Sequence, residues 1–274
     1  MYNTISALLR GEGIEYCRYI PLKLCRITKG YLLEKHGLMI DGGSVFVFAI
    51  PYLAQDTAPQ NISSYAVPKD YHLFVRELSA RILPILADRF PDNRFAMYAD
   101  HSPIDERHAA ALAGLGVYGR NGTVISERYS SFFFIAEIIT DASIEECEDY
   151  EYEIRTCNSC GACLAVCPLQ MEGCLSAITQ KKGELWEHEV SLIKEHRCAW
   201  GCDICQNVCP HTVNAINKLT IYTDIPFFLD DRTPFLTREL IASMGDSDFS
   251  DRAYSWRGRD CILRNLDILE KDKL

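Results

Sequence analysis

The stretch CNSCGACLAVCP, residues 157–168, holds four cysteines in the spacing C-x2-C-x2-C-x3-C, and a proline follows the last one. A second stretch, GCDICQNVCP at residues 201–210, repeats this pattern in part, with three cysteines and the same Cys-Pro ending. Two-residue gaps place three thiolates in one tight loop, where they can bind three irons of one cubane cluster. The fourth thiolate must then come from elsewhere in the chain.

This spacing is that of bacterial ferredoxins with two [4Fe–4S] clusters, in which the cysteine before the proline binds the other cluster. The two stretches are therefore expected to interlock. One cluster is predicted to be bound by Cys157, Cys160, Cys163 and Cys209. The second is predicted to be bound by Cys167, Cys202 and Cys205, which leaves it one ligand short. Cys174 and Cys198 are the two local candidates for the eighth thiolate.

A structural zinc site is the alternative, because two C-x2-C pairs can also form a tetrahedral zinc centre. Zinc ribbons usually separate their pairs by about 15–20 residues. The pairs here lie farther apart, and zinc leaves the two Cys-Pro endings unexplained. Soft thiolates in this spacing favour two iron–sulfur clusters and an electron-handling protein.

The distribution of cysteines favours more than one domain in a chain of 274 residues. Nine of the thirteen cysteines lie between residues 157 and 209, whereas residues 1–140 contain only Cys17 and Cys25. We predict a first domain over residues 1–150, a cluster domain over 151–215 and a helical extension over 216–274 that packs back on the core. No leader peptide and no apolar stretch of the about 18–20 residues of a membrane span is visible, so a soluble cytoplasmic protein is expected.

The net charge of −10 argues against a protein whose whole surface binds nucleic acid, because phosphate contacts need clustered Lys and Arg. A local basic patch lies near the C-terminus, formed by Arg252, Arg257, Arg259 and Arg264. It is interpreted either as a nucleic-acid contact or as a solvated helix face with local ion pairs. The segment 141–153, with seven acidic residues and no basic one, is predicted to be a solvated linker.

The first 140 residues alternate predicted helices with predicted strands, a pattern typical of a layered α/β or α+β domain. Apolar spacing predicts helices over residues 4–11, 71–90 and 104–113. The third helix is given Ser102 as its N-cap and Pro103 as its first residue. Apolar runs predict strands over residues 44–50, 94–99 and 131–140, and the first of these reads as buried on both faces. Beyond Pro210 only two helical patches are evident.

Gly114, Gly116 and Gly119 form a G-x-G-x-x-G pattern that is also found in dinucleotide-binding folds. Such a fingerprint must leave a strand and open a helix. Here the pattern leaves the predicted helix 104–113 and runs toward an apolar segment, which argues against nicotinamide binding. The glycines are interpreted as allowing a tight turn or a close approach of the backbone to a ligand.

A series of further stretches resembles the epoxyqueuosine reductase family, cobalamin-dependent iron–sulfur enzymes related to reductive dehalogenases. They follow the family's order from about residue 45 to 266, which makes the series far more specific than any single motif. Beside the first cysteine run, the stretches are ISSYAVPKDYH (62–72), DHSPIDER (100–107), AGLGVYGRN (113–121), SFFFIAEIITD (131–141), CLSAITQKKG (174–183), GCDICQNVCP (201–210) and CILRN (261–265).

The resemblance implies a nitroreductase-like α/β domain that binds cobalamin, followed by a ferredoxin-like domain with two [4Fe–4S] clusters. Asp100 holds the place of the family's proton donor, and Cys174 holds the place of the last cluster ligand. A buried aspartate in this role would need a raised pKa, whereas an aspartate at the entry of a helix would have a lowered pKa. The implied surroundings of the cofactor are Tyr71, His101, Gly114, Gly116, Gly119, Arg120 and Glu137.

The implied reaction is the removal of the epoxide oxygen of epoxyqueuosine in tRNA, with cobalamin bound without its lower axial base. A flavodoxin or a ferredoxin is the expected electron donor. His101 and Arg120 replace residues that are more usual in the family, which puts the substrate contacts in question. Typical members also continue into helical repeats that help to engage tRNA, so this chain reads as a short form.

Two other functions fit the same motifs. The first keeps cobalamin and both clusters but acts on another substrate, such as an organohalide. The second is a plain two-cluster electron carrier without cobalamin, which leaves some 140 residues before the cysteines without a purpose. Binding of tRNA and binding of a corrinoid are the properties that separate these alternatives.

Overall fold

The computed structural model describes residues 1–39, 42–55, 58–144 and 152–270. Its strands are Tyr16–Pro21 (β1), Ser44–Pro51 (β2), Phe95–Tyr98 (β3), Val117–Tyr118 (β4), Val124–Ile125 (β5) and Phe133–Thr140 (β6). Its first helices are Tyr2–Gly11 (α1), Tyr31–Lys35 (α2), Tyr71–Arg89 (α3) and Glu106–Leu112 (α4). The later helices are Ala162–Val166 (α5), Leu175–Thr179 (α6), Glu187–His196 (α7), Ile204–Asn207 (α8), Pro210–Asn217 (α9), Pro226–Leu229 (α10), Arg238–Ser243 (α11), Asp246–Ser250 (α12) and Arg259–Glu270 (α13).

The main sheet has the strand order β1-β2-β6-β3, and every neighbouring pair is antiparallel. All eight residues of β2 are buried, as the apolar run predicted. Phe46, Phe48 and Ile50 pack with α1 and α3 in one apolar core, whereas Val45 and Val47 pack with α4 in another. Helices thus cover both faces of an antiparallel sheet, so a run of apolar residues here does not indicate parallel strands.

Several predicted boundaries are corrected near the end of β3. The helix predicted over residues 104–113 begins at Glu106, and its N-cap is Asp105, whose carboxylate accepts a hydrogen bond from the His108 N–H at 3.1 Å. Ser102 is therefore not the N-cap. Its hydroxyl instead accepts from the Ile104 N–H at 3.2 Å and donates to Glu137. A buried carboxyl on the neighbouring strand competes for this serine, which the local sequence could not show.

A third apolar core joins the cysteine-rich region to the C-terminal helices. Its members include Ile62, Trp200, Tyr254 and Leu266, which lie far apart in the sequence. The buried Asn265 of α13 donates to the carbonyls of Thr179 at 2.6 Å and Ala199 at 2.8 Å. The segment after Pro210 contains five helices in the described residues, more than the two patches predicted, and its last helices share this core.

The basic patch predicted near the C-terminus is largely structural. Arg252 is 4% exposed and binds the Asp231 carboxylate at 2.5 Å. Arg259 donates to the Ile241 carbonyl at 2.6 Å, and Arg264 donates to the Lys181 carbonyl at 2.7 Å. Three of the four arginines thus pair with groups of the chain itself, which favours the interpretation as local pairing, whereas Arg257 lies 3.7 Å from the centroid of the Trp256 ring.

The acidic segment 141–153 lies mostly outside the described residues, so its prediction as a linker stays a prediction. The same holds for the division of the chain into domains at residues 150 and 215. Among the described helices, none combines the length and the apolar character needed to cross a bilayer.

Candidate active site and cluster ligands

A cleft of about 350 Å³ opens where the N-terminal end of α3, the loop after β3 and the start of β6 meet. Tyr71, Asp100 and Glu106 line one side of it, and Phe133 and Phe134 line another. The ring of Tyr71 stacks on Phe134 with the ring centroids 3.9 Å apart, so the first turn of α3 is attached to the central strand. The remaining lining residues are Arg107, Gly122, Thr123, Val124, Ser131 and Ile135.

Asp100 lies at the mouth of this cleft, in a left-handed backbone conformation with φ of 61°. Its N–H donates to the Glu106 carboxylate at 2.7 Å, which holds the turn in place. Its side chain is 76% exposed, so the burial expected to raise the pKa of a donor aspartate is not observed. Left-handed aspartate costs free energy compared with ordinary backbone geometry, and such conformations cluster at functional sites.

His72 connects Asp100 to the N-cap of α3. Its Nδ1 lies 2.7 Å from Asp70 Oδ1, and its Nε2 lies 3.9 Å from Asp100 Oδ2. The hydrogen bond to Asp70 raises the pKa of His72 despite partial burial, and the charges of Asp100 and Glu106 raise it further. The contact between His72 and Asp100 depends on tertiary structure, so no local pattern in the sequence predicted it.

Two carboxyl groups lie beneath the Asp100 turn. Glu137 in β6 is completely buried, and burial raises its pKa well above the ordinary value, with the nearby charge of Glu106 adding to the effect. Burial also raises the pKa of Glu106 to about 7, although the N–H of Asp100 opposes this. Glu137 does not line the cleft but lies beneath it as a buried acid, and its place at the border of the cofactor stays a prediction. Glu106, which lines the cleft, was not among the predicted site residues.

The glycines of the G-x-G-x-x-G pattern do not gather in this cleft. Gly114 and Gly116 line a separate cleft beside Tyr16. A Cβ on Gly116 would lie 2.6 Å from the Ile125 carbonyl oxygen, and one on Gly119 would lie 2.8 Å from Ile125 Cδ1. For Gly116 the close approach that requires glycine is thus to the chain's own strand β5, and for Gly119 it is first to the Asn121 side chain and then to β5.

Gly122 is the glycine that does line the Asp100 cleft. It has φ of +80°, and a Cβ there would meet nothing within 4 Å. His101, which was expected near the cofactor, contacts Lys29 Nζ at 3.2 Å and the Tyr31 hydroxyl at 3.3 Å on the exposed side of the loop.

The structure brings together the four cysteines predicted for the first cluster. Cys157, Cys160, Cys163 and Cys209 line one small cavity. Arg120 and Asn121 line the same cavity, and the Arg120 N–H donates to Cys157 Sγ at 3.4 Å. Burial raises the pKa of Cys157, but backbone hydrogen bonds from Ser159 and Arg120 outweigh it and hold the pKa below its ordinary value.

The four cysteines predicted for the second cluster also lie close enough to influence one another. Burial raises the pKa of Cys205 to about 11, and the neighbouring thiols of Cys202, Cys174 and Cys167 raise it further. Burial likewise raises the pKa of Cys202, with contributions from Cys174 and Cys167. Cys174 is exposed, whereas Cys198 donates to the Gly201 carbonyl at 2.6 Å. The Cys198 thiol is therefore already used by the backbone.

The donor set fits iron–sulfur clusters because it consists of soft thiols in two groups of four. In the described part of the chain, no three Cys, His, Asp or Glu side chains converge on a single metal ion. Thiolates around a four-iron cubane need not converge in that way, since each binds a different iron.

The acid pair under the Asp100 turn predicts a pH-dependent stability. The pKa of Glu106 lies near 7 in the folded chain against an ordinary value of 4.5, so the folded state holds more protons and the free energy of unfolding falls as the pH rises through this range. Glu137→Gln removes the buried acid and should reduce this fall. Urea unfolding at pH 5 and pH 8 would measure it.

The matched control is Glu184→Gln, which neutralises an exposed carboxylate and should keep the pH dependence of the unmodified protein. If Glu137→Gln lost as much stability between pH 5 and pH 8 as the unmodified protein, this result would contradict the assignment of Glu137 as a buried acid.

The comparisons with known proteins agree in both sequence and fold. No family model matches the chain. The epoxyqueuosine reductase of Lactococcus garvieae is 31% identical over 209 residues, which cover 72% of this chain and 58% of the relative. The epoxyqueuosine reductase of Listeria monocytogenes is 32% identical over 73% of this chain and 54% of the relative. The chain thus matches little more than half the length of these relatives.

Solved structures give the same relationship at the level of the fold. The structure of the epoxyqueuosine reductase of Streptococcus thermophilus has a TM-score of 0.73 at 22% identity and covers 98% of this chain and 80% of that one. An epoxyqueuosine reductase with an epoxyqueuosine-modified tRNA-Tyr stem loop has a TM-score of 0.74 at 23% identity, with the same coverage. The chain is therefore a homologue of the epoxyqueuosine reductases.

Proposed function

We propose that this chain is an oxidoreductase that removes the epoxide oxygen of epoxyqueuosine and so completes queuosine in tRNA. The relatives that match most of this chain are named epoxyqueuosine reductases. The observation that carries the proposal is the position of residues 120–123. Arg120 and Asn121 line the cavity of the first four cysteines, and Gly122 and Thr123 line the Asp100 cleft. One short segment separates an electron-handling centre from a candidate acid.

The chemistry requires two electrons and two protons, because the epoxide oxygen leaves as water and the ring gains a double bond. The two groups of four cysteines would hold two [4Fe–4S] clusters, with Cys174 as the eighth ligand. Cobalamin, bound in its base-off form, would supply the reducing chemistry at the epoxide. The open space beside Gly122 and the cleft between Asp100 and Phe134 are the features that would accommodate it.

Asp100 would serve as the proton donor to the departing oxygen. Its side chain points from a fixed turn at the cleft mouth and is free of direct ion pairs shorter than 3.9 Å in the described residues. Tyr71 and the aromatic residues of β6 would orient the substrate and exclude water from the reacting atoms. The acid would thus act on substrate entering from the open side of the cleft.

A flavodoxin or a ferredoxin would donate the electrons, and a tRNA or a nucleoside from it would be the substrate. One solved homologue holds a modified tRNA stem loop. Of the arginines near the C-terminus, Arg252, Arg259 and Arg264 bind carbonyl and carboxylate groups of the chain itself, so tRNA contacts would rest on other groups, around the cleft. Action on tRNA would place the enzyme in the cytoplasm.

The activity is tested by incubating the anaerobically reconstituted chain with an epoxyqueuosine-containing tRNA stem loop and a low-potential reductant. Mass spectrometry of the digested RNA would detect the loss of one oxygen. Asp100→Asn should keep the iron content and lower turnover by at least about 100-fold, because a positioned general acid contributes that much.

Asp92→Asn changes an exposed aspartate in the turn after α3 and should keep full turnover. Turnover of Asp100→Asn at the rate of the unmodified protein would exclude Asp100 as the proton donor. An unmodified protein that binds clusters and cobalamin but never removes the oxygen would overturn the proposed substrate.

The eighth cluster ligand is tested by a pair of cysteine variants. Cys174→Ala should lose about half of the bound iron, because an exposed cluster ligand is removed, whereas Cys198→Ala should retain all of it. Iron and sulfide analysis after anaerobic reconstitution gives the result directly. Retention of both clusters in Cys174→Ala together with a loss in Cys198→Ala would assign the ligand to Cys198.

A further inference from the structure

Three side chains form a line from the start of α3 to the mouth of the cleft. Asp70 caps the helix and accepts hydrogen bonds from the His72 N–H at 2.9 Å and from His72 Nδ1 at 2.7 Å. With Nδ1 occupied in this way, the other ring nitrogen faces Asp100, 3.9 Å from Oδ2. The cap of the helix therefore also orients the imidazole toward the candidate acid.

The backbone that carries His72 is held firmly. The neighbouring Tyr71 stacks on Phe134 at 3.9 Å with the two rings 7° from parallel. Lys69, on the other side of the cap, pairs with Asp231 at 3.3 Å and with Asp251 at 3.4 Å. The imidazole is thus fixed from both sides, while 48% of the His72 side chain stays open to solvent.

The charges around His72 favour its protonated form. Asp70 belongs to the same helix end, Asp100 to the loop after β3, and Glu106 to α4. All three carboxylates raise the pKa of His72, with the hydrogen bond to Asp70 as the largest cause. Each of these charges favours the imidazolium, so His72 is a proton-holding group beside Asp100.

We propose that His72 resupplies Asp100 with the proton that Asp100 delivers in the reaction, an inference that rests on the proposed function. The Asp100 O–H bond breaks as its proton passes to the departing oxygen. The Nε2–H bond of His72 then breaks as its proton passes to Asp100 Oδ2 through one bridging water, because the 3.9 Å between the two atoms is longer than a direct hydrogen bond. The neutral imidazole then takes a proton from water on its exposed side. No electrons move in these steps, and His72 acts through Asp100 as a positioning residue.

The coupling of the two residues is tested first by NMR titration of the histidines in the reconstituted full chain without substrate. In Asp100→Asn the pKa of His72 should fall by about half a unit, which is the size expected for one charge at about 4 Å in a solvated setting. Asp70→Asn, which keeps a capping side chain, should lower it further. The His188→Gln spectrum serves as an assignment control, since His188 is an exposed residue of α7.

The pH dependence of turnover then separates a proton source from a structural role. His72→Gln should lower kcat by about 10-fold or more with KM unchanged. In the unmodified protein, kcat should decline with rising pH as His72 loses its proton. His72→Gln should abolish this decline. His188→Gln should keep both the rate and the profile. An equal loss of rate at every pH would overturn the proposal.

The two parts of the experiment also separate this inference from the proposed function. A reconstituted protein without turnover would defeat the assigned reaction, and the NMR titration would still judge the pairing of His72 with Asp100. An unchanged pKa of His72 in Asp100→Asn would overturn the inference whatever the substrate is.

Discussion

The complete burial of the Glu137 carboxyl in β6 is the constraint on which the candidate site depends. A carboxyl group in such a place must be neutral and hydrogen-bonded, because an unpaired buried charge is very costly. The β3–β6 register sets Tyr98 opposite Glu137, so the chain leaves β3 directly above the buried acid. The Ser102 hydroxyl donates to the Glu137 carboxyl, and the Asp100 N–H donates to Glu106, which holds the Asp100 turn in place. The acid at the cleft mouth is thus positioned by Glu106, which lines the cleft, and by the buried Ser102–Glu137 pair, which does not.

A second set of buried polar contacts holds the cysteine-rich region against the sheet domain. Ser130, just before β6, and Thr212 of α9 share a hydrogen bond of 2.6 Å. Asp203 lies in the second cysteine stretch and accepts from the Ser64 N–H at 2.7 Å and from the Ser63 hydroxyl. Buried polar groups of this kind specify one arrangement, because a shift would leave them unsatisfied. The cluster cysteines are thereby kept next to the segment that borders the Asp100 cleft.

Local patterns in the sequence predicted the local features well. The apolar run of β2 and the helix α3 both appear in the structure. The grouping of Cys209 with Cys157, Cys160 and Cys163 also appears, because the spacing of the two cysteine stretches predicts that they interlock. Other features that depend on distant partners escaped prediction. Ser102 looked like a helix cap because its partner Glu137 is 35 residues away. The exposure of Asp100 and its approach to His72 follow from the meeting of α3, β3 and β6, which no local pattern encodes.

The proposed function requires that one chain combine two clusters, a corrinoid and an acid at the cleft mouth. Electron paramagnetic resonance of the anaerobically reconstituted protein after addition of Co(II) cobalamin tests this combination. A base-off cobalt spectrum beside the signals of reduced [4Fe–4S] clusters is expected. Reduced clusters accompanied only by the spectrum of free cobalamin would contradict it and would leave an electron-transfer protein.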